Sequence, residues 1–358
     1  MKIKFGFITT LFVGIAVLSG CGSNGQNNAT ETTTTTTTEV TAESTDGTTE
    51  ALVEGDVFPV TIEHAFGEIV IDEKPERVAT VAFGNQDVVL ALDVVPVGFS
   101  AANFGVQDDS GMLPWTKEKL DELGESSPNI FQDTDGIDFE AVSDSNPDII
   151  LAPYSGMTEE EYNLLSEIAP VVAFPETAWT ISTEDWVRIT ARALGLSEKG
   201  EEIIQGMENT MITKVNEHPE FEGEKFLWAS FDETDLSSIH AYSPVDTRVS
   251  FLYKFGFTYP DNVDQYMEEG SYSLSISAEN ADILYDADFL IGYSSEESYA
   301  AAAADPVLGE IPALKNNAVV SIVSGTPLSA ALTMTPLSFD YTIDEYTNKL
   351  AEAIANVH

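Results

Sequence analysis

The 358-residue chain is long enough for two to three average domains, and 43% hydrophobic with 10% aromatic residues is enough for a sizeable packed core. Against 61 acidic residues stand 15 basic ones, a formal charge of −46. That balance argues against nucleic-acid binding, which needs a Lys/Arg surface, and against polybasic docking on anionic lipid.

Cys21, the single cysteine, leaves no intrachain disulfide to form, and His64, His218, His240 and His358 are too scattered to suggest a metal cluster by spacing. Residues 1–20 read as a targeting segment. Lys2 and Lys4 precede an apolar run, Phe5 to Leu18, that is short for a bilayer span. The run ends in Leu18-Ser19-Gly20-Cys21, which resembles a bacterial lipobox. In such a motif the cysteine sulfur takes a diacylglycerol and the peptide is cut just before it. The mature protein is then a palmitate-type lipoprotein, held by two acyl chains where one would be marginal. Residues 21–56 carry no apolar periodicity and contain the unbroken run Thr32 to Thr38, so they read as a disordered tether. As a flexible coil this tether spans roughly 30–36 Å. Its length and acidity favour an extracytoplasmic, membrane-anchored protein on a Gram-positive cell surface.

From Val57 onward, short β-branched runs alternate with amphipathic stretches, the sign of α/β layers. Val60 to His64 and Glu68 to Ile71 predict a hairpin around Gly67. Arg77 to Phe83 predicts a buried strand, Asp87 to Leu92 a helix, and Pro96 to Phe99 the next strand. Phe139 to Ser145 then predicts a short helix, Pro147 to Ala152 a strand ending in Tyr154-Ser155, Glu159 to Glu167 a helix, and Pro170 to Phe174 a strand. Thr183 is expected to cap a helix over Glu184 to Leu194 that Gly195 ends. Ser197 opens a longer helix to about Glu217, with Ile203, Ile204, Met207, Met211 and Val215 at helical spacing and His218-Pro219 as its stop.

The second half repeats the order of the first. Lys225 to Ser230 predicts a strand, Arg248 to Phe255 a helix ending at Gly256, and Ser277 to Leu284 a short helix. Ala287 to Gly292 predicts a strand ending in Tyr293-Ser294, followed by a helix near Glu297 to Ala303 and a strand over Ala318 to Ile322. The expected organisation is a first lobe over 57–196, a connecting helix over 197–218 and a second lobe over 219–358. The fold class is α/β, with two Rossmann-like lobes, each around a central sheet, and a ligand cleft between them.

Several stretches together resemble the bacterial iron–siderophore substrate-binding lipoproteins of ABC importers. They are Lys74-Pro75-Glu76-Arg77-Val78, Leu92 to Gly98, Phe139 to Val142 with Asn146 to Ala152, Glu167 to Val172, Thr247 to Leu252, Leu274 to Asn280 and Pro306-Val307-Leu308. The resemblance spans roughly Val57 to His358. It implies capture of a ferric siderophore and its delivery to a permease and ATPase. Iron would travel inside the ligand, with no resident cofactor.

In a two-lobe binder the ligand sits outside the C-terminal ends of the strands. That selects Phe83, Gly84, Asn85, Asn103, Phe104, Tyr154 and Ser155 in the first lobe, with Trp115 and Trp179 on loops. In the second it selects Phe231, His240, Tyr242, Arg248 and Tyr293. Of these, Asn85, Asn103, Trp115, Tyr154, Trp179, His240, Tyr242 and Arg248 are the candidate ligand contacts. Aromatic walls suit the apolar periphery of a ferric chelate, and a guanidinium fork suits its iron-bound oxygens. A surface salt bridge is the other reading of Arg248. Glu140 and Glu279 open corresponding short helices. The resemblance implies that such acids meet permease arginines, whereas charge compensation at a helix N-terminus is the plainer reading. A haem or cobalamin binder on the same scaffold, with His240 or Tyr242 ligating iron, is the closest alternative. A surface enzyme is the alternative of another class, although G-x-S-x-G, P-loop and G-x-G-x-x-G motifs are absent.

Overall fold

A computed structural model describes residues 56–358 apart from 134, 261, 262, 264, 265, 267–270, 272 and 358. The targeting segment, Cys21 and nearly all of the tether lie outside the described residues.

The chain opens with the expected hairpin, β1 (Val60–His64) against β2 (Gly67–Ile71), turning at Gly67 with a positive φ of 132°. The first lobe follows as β3 (Val78–Thr80), α1 (Asn85–Ala91), β4 (Gly98–Ser100), α2 (Pro114–Leu123), β5 (Ile130–Phe131), α3 (Phe139–Asp144), β6 (Ile149–Leu151), α4 (Glu159–Ser166) and β7 (Val171–Val172). The sheet order is β5-β4-β3-β6-β7, every pair parallel. Helices cover both faces, so β3, β4 and β6 are buried at every position, which is why they carry no charged residue and show no alternation of apolar with exposed polar positions. Strand order reverses between β3 and β6, which opens a crevice at their C-terminal ends.

α5 (Thr183–Ala193) and α6 (Ser197–Glu217) follow, and α6, 21 residues and about 31 Å long, joins the lobes. The cap of α5 is Ser182, not Thr183. Ser182 has extended backbone angles and accepts from the Asp185 amide, while Thr183 is already helical and donates its hydroxyl to the Met334 carbonyl. α5 and α6 pack tightly at Gly200, where an added Cβ would stand 2.6 Å from the Ala191 Cβ.

The second lobe repeats the first only in part. β8 (Phe226–Asp232) is followed directly by β9 (Asp235–Tyr242), then α7 (Thr247–Leu252), β10 (Ser273–Ser277), β11 (Phe289–Gly292) and β12 (Val319–Ser321). The sheet order is β10-β9-β8-β11-β12. β8, β11 and β12 are parallel, whereas β9 is antiparallel to both neighbours. A hairpin thus replaces the strand–helix–strand crossover of the first lobe. Two residues, Glu233 and Thr234, join β8 to β9, and so short a link cannot make a parallel crossover. The helix expected over Ser277 to Leu284 is a 3₁₀ stretch, Ala278–Asp286.

The shared part of the two lobes is tied alike. Asp148, just before β6, accepts from the Glu76 and Arg77 amides, and Asp288, just before β11, accepts from the Lys225 amide. Each carboxylate clamps the strand that starts its lobe's sheet. After β12 the chain forms a short helix, Pro327–Ala331, and a long one, Pro336–Ile354. The long helix packs Phe339, Ile343, Tyr346 and Leu350 into the second-lobe core, and Leu337 against Leu90, Phe99 and Leu120 of the first. The connection through α6 is therefore not the only one between the lobes.

Candidate functional site

The C-terminal ends of the parallel strands of both lobes face a cavity of about 670 Å³. From the first lobe come Ala82 and Phe83 after β3, Asn103 and Phe104 after β4, and Tyr154 to Gly156 after β6. Trp179 closes this wall. Its ring meets Tyr154 edge-on at 5.0 Å, and Tyr154 stacks in turn on buried Trp186 at 4.9 Å. Gly156 makes room for the indole, since a Cβ there would lie 2.2 Å from Trp179 Nε1. Ala82 and Trp179 hold positive φ values of 65° and 63°. Non-glycine residues rarely adopt that region and pay for it in strain, here at two positions of one cavity wall.

The second lobe supplies Tyr242, Arg248 and Tyr293. Asp246 caps α7 by accepting from the Arg248 amide at 2.9 Å, and its two oxygens take Nε and Nη2 of the same arginine. The remaining Nη1 reaches the Tyr293 hydroxyl at 3.2 Å, and the guanidinium lies over the Tyr242 ring, 4.0 Å from its centroid. Arg248 is salt-bridged, though in a largely buried pair and not at the surface, and it also lines the cavity. Burial disfavours its charge, but the Asp246 carboxylate and the tyrosine oxygens outweigh that and raise its pKa above the ordinary arginine value. Burial pushes the Tyr154 and Tyr293 hydroxyls up as well, so both stay neutral donors at physiological pH. The other charged lining groups are Asp133 and Glu161, and Arg248 is the only basic one among the described residues.

Asn103, Tyr154, Trp179, Tyr242 and Arg248 thus come together as expected, and three candidates do not. Asn85 is 1% exposed and braces the wall from behind: its amide nitrogen donates to the Val81 and Tyr154 carbonyls, and its oxygen accepts from the Tyr154 amide. Trp115 is 3% exposed and turns inward, because its indole N–H donates to buried Asp87 at 2.7 Å. His240 shares a strand face with Tyr242, whose ring it meets at 5.0 Å, but it is exposed outside the lining. Partial burial and then the Arg248 charge lower its pKa.

Residues that the sequence left unmarked complete the site. Asp246 was one acid among 61, and its only signal was its place just before a helix start. Ser329 and Thr333 line the cavity from the segment after β12, far along the chain from the rest. Among the described residues no group of three or more His, Cys, Asp or Glu is arranged to hold a metal ion.

Glu140 lies in the first turn of α3 and Glu279 in that of the 3₁₀ stretch, and both are exposed. α3 follows β5, and the 3₁₀ stretch follows β10, which runs parallel to β8. Strand direction therefore sets both acids at the cleft-side ends of their sheets, one on each lobe.

Residues 78–324 match the family described as periplasmic binding protein. Solved structures agree. PiaA of Streptococcus pneumoniae TIGR4, crystallised in complex with ferrichrome, is 45% identical with a TM-score of 0.78, covering 83% of this chain and 99% of that one. A second structure of PiaA from the same organism, described as an iron uptake ABC transporter substrate-binding protein, is 42% identical with a TM-score of 0.75, covering 83% and 100%. Staphylococcus aureus SirA, complexed with staphyloferrin B, shares the fold at 21% identity and a TM-score of 0.65, covering 82% and 98%. No match was found among curated protein sequences. With two α/β lobes, a cleft at their strand ends and these relatives, the chain belongs to the periplasmic binding protein family.

Proposed function

We propose that this protein captures a ferric siderophore outside the cytoplasm and delivers it to an ABC permease and its ATPase. The observation that carries the reading is Arg248: a guanidinium fixed by Asp246, with Nη1 turned toward Tyr293, in a cavity with aromatic walls from both lobes. A ferric chelate offers an apolar periphery to Trp179, Tyr154 and Tyr242, and ligand oxygens to Arg248 and the neutral Tyr154 hydroxyl. The ligand brings its own iron, so the cavity needs no metal-binding side chains.

Charge narrows the ligand. Arg248 is already neutralised by Asp246, and Asp133 and Glu161 add negative charge to the lining. An anionic chelate is disfavoured there, and an uncharged one such as ferrichrome, the ligand of the PiaA complex, is not. Lipidation of Cys21 holds the protein at a Gram-positive cell surface.

The test is a fluorescence titration of the purified protein. Trp179, 44% exposed at the cavity edge, reports occupancy. Ferrichrome should quench strongly, and iron-free ferrichrome and ferric carboxylate chelates much less. Tight binding of haem or cobalamin with no response to any ferric siderophore would overturn the reading. Cys21→Ala should leave the protein unprocessed or released from the membrane, and a membrane-bound variant of normal mature mass would refute the anchor.

A further inference from the structure

Asp87 is the most deeply buried carboxylate that the ligand cavity does not use. It lies on α1, 1% exposed, and among the described residues no basic side chain pairs with it. Burying an unpaired carboxylate costs several kcal/mol unless hydrogen bonds replace its water. Here the donors come from three elements. Trp115 Nε1 at 2.7 Å and Thr116 Oγ1 at 2.6 Å belong to the start of α2, Gln86 Nε2 at 3.3 Å to α1 itself, and Thr335 Oγ1 at 3.3 Å to the cap of the C-terminal helix.

Thr335 ends the segment that leaves the second-lobe sheet after β12 and crosses to the first lobe. Along the way the Gly325 carbonyl accepts from Gln107 Nε2 at 2.9 Å. Ala330 and Ala331 are buried against Leu113 and Trp115. Gly105 approaches so closely that a Cβ there would lie 2.5 Å from the Ala330 Cβ. The Met334 carbonyl accepts from Thr183 at 2.7 Å. Ser329 and Thr333 of this segment line the ligand cavity, and the Ser329 carbonyl accepts from Tyr293 at 3.3 Å. A stretch that begins in one lobe is thus fastened to the other while forming part of the wall between them.

We propose that Asp87 is a positioning residue for the ligand cavity: it latches residues 323–335 to the first lobe and so holds Ser329 and Thr333 in register with Tyr154 and Asn103. The ligand arm of this proposal rests on the siderophore reading, but the latch does not. A conservative substitution should preserve it. Gln86 Oε1 is buried with no partner among the described residues. Once the Gln86 amide turns over to present that oxygen in place of Nε2, an amide at position 87 can donate to it while its own carbonyl still accepts from Trp115 and Thr335.

The test compares Asp87→Leu, which keeps the branched outline of the side chain, adds bulk and removes both acceptors, with Asp87→Asn. Amide hydrogen exchange in the ligand-free protein is read first. Asp87→Leu should speed exchange over 326–335 by roughly tenfold, while the strands of the first-lobe sheet keep their protection; Asp87→Asn should stay within about threefold of the parent. Ferrichrome affinity should follow the same order. Should Asp87→Leu fail to fold, Thr335→Val removes the segment's own donor, and Thr335→Ser restores it. Parental exchange over 326–335 in Asp87→Leu, or in Thr335→Val if that variant has to serve, would overturn the latch. So would equal loosening of the whole first lobe, which would make Asp87 a core stabiliser. Failure of the parent to bind any ferric chelate would refute the siderophore reading and leave the exchange result to decide the latch.

Discussion

Arg248 gives the most direct test of the cavity at the scale of single residues. Its fork is committed to Asp246 on one side, so what it offers a ligand is the Nη1 edge shared with Tyr293. Arg248→Ala should weaken ferrichrome binding by roughly 1.5–3 kcal/mol, the worth of a charge-assisted hydrogen bond. Arg248→Lys should recover only part of this, because an ammonium cannot both pair with Asp246 and present a second edge. Asp246→Asn keeps a capping side chain but frees the arginine charge, so anionic ferric chelates should gain on ferrichrome. Unchanged affinities measured by titration would reduce Arg248 to a structural ion pair. Asp87 gives a second residue-scale prediction, on stability against pH. Burial raises its pKa from 3.8 to about 6, and hydrogen bonds from Thr116, Trp115, Thr335 and Gln86 offset only part of the shift. A raised folded-state pKa contributes stability that is complete below the unfolded value and is lost as pH rises through the folded one. A shift of about two units corresponds to about 3 kcal/mol, lost between pH 4 and 7. Denaturant midpoints should therefore fall more between pH 4.5 and 7.5 in the parent than in Asp87→Asn, and equal falls would mean that Asp87 does not titrate in that window.

At the scale of elements, the junction of α5 and α6 decides how firmly the connecting helix is seated. A Cβ on Gly200 would meet the Ala191 Cβ and the Val187 side chain, and Ile204 and Met211 continue the buried face of α6. Two effects compete in Gly200→Ala. Helix propensity favours alanine by up to about 1 kcal/mol. Against that, a Cβ built 2.6 Å from the Ala191 Cβ forces two rigid backbones apart, and overpacking of this kind costs typically 1–3 kcal/mol. The neighbouring atom is not the free end of a flexible chain, so the clash should win. Thermal unfolding of Gly200→Ala should show a net loss of about 1–2 kcal/mol, and a stabilised variant would mean that the helices can separate without cost.

At the scale of the whole molecule, the question is how so acidic a protein marks a docking point. A chain with a formal charge of −46 presents negative field nearly everywhere, so field alone cannot specify a site. Glu140 and Glu279 differ from other surface acids in their matched places, one at the cleft-side end of each sheet, each just before the strand that flanks its lobe's first strand. Docking of both lobes through these acids predicts that Glu140→Ala and Glu279→Ala each impair uptake of labelled ferrichrome in cells, and that the double variant is worse. Ferrichrome affinity in solution should not change, and stability should move by no more than about 0.5 kcal/mol because both residues are exposed. Normal uptake in the double variant would remove the docking role, whereas lost affinity in solution would place these acids at the ligand instead.

Local pattern carried most of the architecture. Short β-branched runs such as Val78–Thr80 and Ile149–Leu151 pointed to strands buried on both faces, and the spacing from Ile203 to Val215 to a helix. The repeated placing of Asp148 and Asp288 before their strands exposed two related lobes. Asn103 and Tyr154 line the cavity where the rule that ligands sit past the strand ends placed them, whereas Tyr242 reaches it from within β9 and Trp179 from a loop. The sequence could not distinguish Trp115 from Trp179, since both looked like loop tryptophans near the cleft. Tertiary structure separated them: one is drawn inward by Asp87, while the other stands over Gly156 in a left-handed backbone conformation. Nor did any pattern reveal that the segment after β12 returns to the first lobe, because Thr335 and Asp87 are 248 residues apart. Periodicity reports whether a side chain is buried within its own element. Which polar partner it meets there is set by how distant elements pack, and that is why the fold was legible in the chain while Asp246, Ser329, Thr333 and the Asp87 contacts emerged only when it was folded.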